Sequence, residues 1–143
     1  MHSINIAHRD LKAENILVFS GRVTLIDFGF AVQIDDLNPL YTDRRGSTDY
    51  VSPEIVMCKL YDPKKSDIWS MGVILYTLLT GSLPFISPST KKTFHKIASG
   101  DFTFSPHISY PESAVSLVKS ILVTNSDKRP SADWIKSSDW LKE

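Results

Sequence analysis

Residues 8–15 read His8-Arg9-Asp10-Leu11-Lys12-Ala13-Glu14-Asn15, and Asp27-Phe28-Gly29 follows twelve residues after Asn15. What lies between them limits how the chain can fold. Ile16-Leu17-Val18-Phe19 and Val23-Thr24-Leu25-Ile26 are short, apolar, β-rich runs, and the Ser20-Gly21-Arg22 between them is turn-like. That pattern predicts a β-hairpin. Asn15 stands just before its first strand and Asp27 just after its second, so antiparallel pairing brings the two together. Two oxygen-bearing side chains at the open end of one hairpin suit a shared hard cation.

The rest of the chain reads as helical. Asp67 to Thr80 is apolar nearly all round, through Ile68, Trp69, Met71, Val73, Ile74, Leu75, Tyr76, Leu78 and Leu79. A helix of that kind is buried at the centre of a domain. Ser66 is placed to cap its start and Gly81 to stop it. Thr90 to Ser99 is a shorter amphipathic helix with Phe94 and Ile97 inward. Pro111-Glu112 opens another, striped by Ala114, Val118, Ile121 and Leu122. Ser131 can cap a last helix carrying Trp134 and Ile135. Residues 30–53, including Asp35-Asp36, have no regular period and read as a long loop, of a length that is functional or disordered. The expectation is a mainly α domain around one central buried helix, with a small β-hairpin.

In this order, His8-Arg9-Asp10 with Asn15, Asp27-Phe28-Gly29, Ser52-Pro53-Glu54, Asp67-x-Trp69-Ser70-x-Gly72 and Arg129 resemble the C-terminal lobe of eukaryotic protein kinases. The likeness runs from His8 to about Trp140. Residues 1–143 are thus expected to form a partial kinase domain. The stretch Gly72 to Phe85 looks closest to the calcium/calmodulin-dependent group. The resemblance implies phosphoryl transfer from ATP to a protein substrate. Asp10 would orient the substrate hydroxyl and take its proton. Lys12 would place a cation near the moving phosphoryl group, and Asn15 and Asp27 would hold Mg²⁺ and, through it, the nucleotide. Lys12 at this position is similar to serine/threonine kinases, and Thr48 is expected to bridge Asp10 and Lys12. Arg9 implies regulation through residues 27–54: Asp43 would supply standing negative charge to Arg9, with Thr42 as the rival phosphorylation site. Glu54 and Arg129 resemble a buried structural ion pair, and Asp67 would hold the backbone of the catalytic loop. Ser52, in place of alanine before Pro53, and Asn125-Ser126 depart from the family pattern without disturbing these roles.

Other features exclude alternatives. Sixteen Lys and Arg balance sixteen Asp and Glu, and the basic pairs are scattered, so no nucleic-acid tract is expected. Cys58 is the single cysteine, and no Cys/His spacing suits zinc. Residues 1–7 lack the pattern of a signal peptide, and no apolar run approaches the roughly 20 residues a membrane span requires. The expected setting is intracellular, in cytoplasm or nucleus. None of the six glycines forms a Gly-x-Gly-x-x-Gly loop, and no Val-Ala-x-Lys strand occurs, so the β-rich N-terminal lobe is expected to be absent. One lobe leaves half the nucleotide contacts unmade, which implies a truncated or fragmentary kinase served by its missing lobe or a partner chain. The alternative is a non-catalytic, single-lobe module that binds proteins. A metal-dependent hydrolase using Asp10, Asn15 and Asp27 would leave Glu54, Arg129 and Asp67 unexplained.

Overall fold

Pro63 begins the longest helix in the computed structural model of the protein, which describes residues 1–35 and 37–142. Asp36, in the expected loop, and Glu143 lie outside the described residues. Among those described, the chain forms four short strands and five α-helices: β1 (Ile6–Ala7), β2 (Ile16–Phe19), β3 (Arg22–Leu25), β4 (Val32–Gln33), α1 (Pro53–Val56), α2 (Pro63–Thr80), α3 (Thr90–Ser99), α4 (Glu112–Ile121) and α5 (Ala132–Lys136).

Helix α2 is the expected central helix, but it starts four residues before Asp67. Asp62 caps it by accepting from the Lys64 N–H at 2.8 Å, and Pro63 occupies its first turn. An acceptor at the N-cap followed by proline is a full helix start by itself. Ser66 is therefore not the cap. It lies buried in the first turn, and its hydroxyl accepts from that of Ser52 at 3.1 Å. Gly81 ends the helix in the left-handed region at φ 73°.

Ile68, Trp69, Val73, Ile74 and Tyr76 are buried, and each large apolar side chain contributes about 1.5–3 kcal/mol. The last turn departs from the all-round expectation, for Leu78 is 76% exposed. Trp69 stacks on Phe85 with ring centroids 5.3 Å apart, and Phe102 and Phe104 extend the aromatic core. Helix α4 crosses α2 at Gly72. A Cβ there would lie 2.5 Å from Ile121 Cγ2 and 2.8 Å from Leu122 Cδ2, so the close crossing requires glycine. Ile97 and partly buried Phe94 face the core from α3, and Ser131 caps α5 as expected.

The hairpin forms as β2 and β3, with Ile16 opposite Leu25 and Phe19 opposite Arg22. Its base packs on the core through Ile16 and Leu25. Its tip projects, with Val18 70% and Phe19 82% exposed. The segment expected as loop carries one strand, β4, which pairs antiparallel with β1. A second tie, between Tyr41 and Tyr61, fastens the segment to the start of α2.

Candidate active site

The site begins where Asp67 of α2 grips the chain after β1. Its buried carboxylate accepts from the backbone N–H groups of His8 and Arg9, each at 2.8 Å, and from His2 Nε2 at 3.0 Å. Arg9 is thereby held at φ 64°, a left-handed conformation that non-glycine residues adopt at a cost.

Asp10 follows, 6% exposed, and its carboxylate is saturated. Oδ1 accepts from the Ser47 N–H at 2.8 Å and from the Ser47 hydroxyl at 2.9 Å. Oδ2 accepts from Lys12 Nζ at 2.9 Å and from Asn15 Nδ2 at 3.4 Å. Asn15 Nδ2 also donates to the Asp10 carbonyl at 2.9 Å. Asp10, Lys12 and Asn15 thus form one cluster.

The hydroxyl joining Asp10 to Lys12 corrects the expectation. It belongs to Ser47, which accepts from Lys12 Nζ at 2.9 Å, and not to Thr48. The Tyr50 N–H donates to the Ser47 carbonyl at 2.9 Å, closing a turn. That turn sends Thr48 outward, where it is exposed. The signal that could have found Ser47 is its place directly after Gly46. Gly46 takes φ 112°, and a Cβ there would lie 3.0 Å from the Arg9 carbonyl. The chain passes so close to the backbone of residues 8–12 that the next residue faces Asp10.

Burial alone would raise the Asp10 pKa. Hydrogen bonds from Lys12 and from the Ser47 side chain and backbone outweigh it and leave the group below its ordinary value. Lys12 is raised, chiefly by its hydrogen bond to Asp10, with help from the charges of Glu14 and Asp27.

Asp27 stands at the end of β3. The Ile26 N–H donates to the Asn15 carbonyl at 3.0 Å, and His8 Nε2 donates to the Ile26 carbonyl at 3.0 Å. These bonds fix the two ends of the hairpin beside residues 8–15. Asp27 itself is exposed, with φ 60°. Its Oδ1 accepts one bond, from the Gly29 N–H at 3.3 Å. Among the described residues, no group of three or more His, Cys, Asp or Glu side chains converges to hold a metal. The donors available are one carboxylate and one amide oxygen. That set fits Mg²⁺, which keeps several waters and is held by one or two protein oxygens together with phosphate.

Arg9 links this cluster to the segment after β4. Its Nη1 donates to both Asp43 oxygens, at 2.9 and 2.8 Å, its Nε donates to the Phe30 carbonyl at 2.6 Å, and its guanidinium lies over the Tyr41 ring at 5.4 Å. Asp43 also accepts from Arg45 Nε at 3.1 Å and from the Tyr61 hydroxyl at 3.3 Å. Burial raises the Asp43 pKa, but Arg45 and Arg9 more than reverse that, so it too lies below its ordinary value. Thr42, the rival, is exposed beside it. Asp43→Asn is expected to loosen this segment. The pair is partly buried, and a net contribution of about 1 kcal/mol implies that tryptic cleavage after Arg44 and Arg45 should rise about fivefold. Unchanged digestion kinetics would remove the anchoring role.

The two depressed carboxyls set an acid limit. Groups with lowered folded pKa contribute stability that is present above their unfolded values and lost as pH falls through the folded ones. With both below 3.8, the urea midpoint should hold as pH falls through mild acid to about 5 and drop only below about pH 4. A drop centred near pH 6 would contradict this.

Glu54 and Arg129 also come together. Arg129 Nη1 and Nη2 donate to the two Glu54 oxygens, each at 2.7 Å, and both residues are buried.

Comparison with known proteins agrees with this geometry. The family model described as protein kinase domain matches residues 1–141. Similar proteins include a Dictyostelium discoideum protein named as a probable serine/threonine-protein kinase, 41% identical over 141 residues, covering 98% of this chain and 17% of that protein. CBL-interacting serine/threonine-protein kinase 5 of Arabidopsis thaliana is 39% identical over 145 residues, covering 99% of this chain and 32% of its own. CBL-interacting protein kinase 8 of Oryza sativa subsp. japonica is 38% identical over 143 residues, with the same coverages. The chain thus spans less than a third of the length of these relatives.

Proposed function

This chain belongs to the protein kinase family, and we propose that its site serves phosphoryl transfer from ATP to serine and threonine hydroxyls of protein substrates. The observation that carries the reading is the single cluster of Asp10, Lys12 and Asn15, with the Asp27 end of the hairpin bonded to Asn15. When bound, Mg²⁺ neutralises phosphate charge, and Asn15 and Asp27 are the residues that would hold it. Lys12 supplies a fixed cation where charge develops on the moving group. Asp10, ionised and hydrogen-bonded to Ser47, orients the incoming hydroxyl and receives its proton late. The hydroxyl gains Oδ2 by displacing the 3.4 Å contact from Asn15, the longest of the four. Asp43 holds Arg9, and with it the segment facing the site, without a phosphate group.

Residues 1–143 act in this reading as part of a kinase domain, completed by an N-terminal lobe or a partner chain, inside the cell. The names of the relatives support the serine/threonine assignment. Among the described residues, no helix is long and apolar enough to cross a membrane. A second reading, a protein-binding module without catalysis, is favoured by the exposed apolar hairpin tip. Label transfer from γ-labelled ATP with Mg²⁺ to a generic protein substrate, by the chain joined to the N-terminal lobe of a related kinase, separates the two. Phosphoserine or phosphothreonine above background is expected. Label on tyrosine alone, or none, would overturn the proposal.

A further inference from the structure

Helix α4 and the chain end enclose a groove that phosphoryl transfer does not use. Its volume is about 740 Å³, within the roughly 300–1,000 Å³ of clefts that take ligands. One wall is a single face of α4, where Glu112, Ser116 and Ser120 stand four residues apart above buried Leu117. The facing wall is the end of α5 and the turn after it, which contribute Trp134, Ser138, Asp139 and Trp140.

Three features of the groove agree. Two of the chain's three tryptophans line it, and Trp134 is 51% exposed. Tryptophan on a surface is a mark of contact regions. The charged side chains of the lining are Glu112 and Asp139, both acidic. Asp139 meets Lys142 only at 3.9 Å. Ser138, which lines the groove, has a buried Oγ without a hydrogen-bond partner among the described residues.

We propose that this groove docks a basic segment of a partner protein. An arginine of that segment places its guanidinium over a tryptophan face and pairs with Glu112 or Asp139. Guanidinium is the cation that does both, since it stacks on aromatic faces and matches a carboxylate with two parallel bonds. An acidic or phosphorylated partner would meet two carboxylates and no lining Lys or Arg.

The test uses the whole 143-residue chain, tryptophan fluorescence and calorimetry. The probe is a peptide alternating arginine with glycine, compared with its glutamate counterpart. Saturable binding of the arginine peptide is expected. Glu112→Gln combined with Asp139→Asn should weaken it about tenfold or more, as should salt raised from ~50 to ~500 mM. Trp134→Ala should also weaken it, whereas Asp101→Asn, an exposed acid outside the groove, should not. Circular dichroism melts of the variants guard against unfolding. The proposal is overturned by absence of binding, by equal binding of the glutamate peptide, by an unaffected double variant, or by self-association of the chain that Trp134→Ala abolishes.

Discussion

Arg129→Met should cost about 3–5 kcal/mol of stability, the range for a buried charge stripped of its partner. Arg129 spends its donors fully. Besides Glu54, it donates to the carbonyls of Val123 at 2.8 Å, Lys65 at 3.0 Å and Thr124 at 3.3 Å. Its guanidinium also lies 5.0 Å from the centre of the Trp69 ring. One side chain therefore joins the start of α1, the first turn of α2 and the chain after α4. Methionine keeps the bulk, but it leaves the Glu54 carboxylate buried without its partner and takes a donor from each of three carbonyls. Glu54→Leu placed in the same chain should recover part of the loss, because the stranded charge goes with it. Urea denaturation of the two single variants and the double measures both effects. A single-variant loss under about 1 kcal/mol would show that the pair carries little of the fold.

Asp10→Asn should lower phosphoryl transfer by about 10²–10⁴, or roughly 3–5 kcal/mol of barrier. The amide keeps the shape of the side chain and one oxygen for Ser47. It removes the negative charge that faces Lys12 and the base that takes the proton. The loss should fall on kcat, with KM for the nucleotide little changed, because the proposed role of Asp10 is toward the acceptor hydroxyl and not the nucleotide. Less than about a tenfold loss, or a loss confined to KM, would place the chemistry elsewhere.

Much of the site was legible because its residues are close in sequence and flank a hairpin with a plain apolar pattern. Asp10, Lys12 and Asn15 lie within six residues, and the two strand runs bring Asp27 back to them. The central helix was legible from its unbroken apolar character, and Arg9 with Asp43 from their places in the family pattern. Three details escaped for physical reasons. Ser47 and Thr48 both carry hydroxyls, and only the turn closed by Tyr50 decides which faces Asp10. Strand β4 is two residues long and paired across a sequence gap to β1, so neither alternation nor a hairpin turn announces it. The start of α2 was misplaced because apolar periodicity begins at Ile68, whereas the helix is begun by the cap at Asp62 and the ring of Pro63.

Arg9 and Asp27 are both held in left-handed backbone, at φ 64° and 60°, which costs on the order of 1–3 kcal/mol each. The helices around Trp69 carry no such debt. Gentle warming should therefore relax the two loops before far-ultraviolet ellipticity falls, and the protein should lose its function while still folded. The temperature at which that loss begins should then follow Asp67's hold on the Arg9 backbone and not the melting of the core.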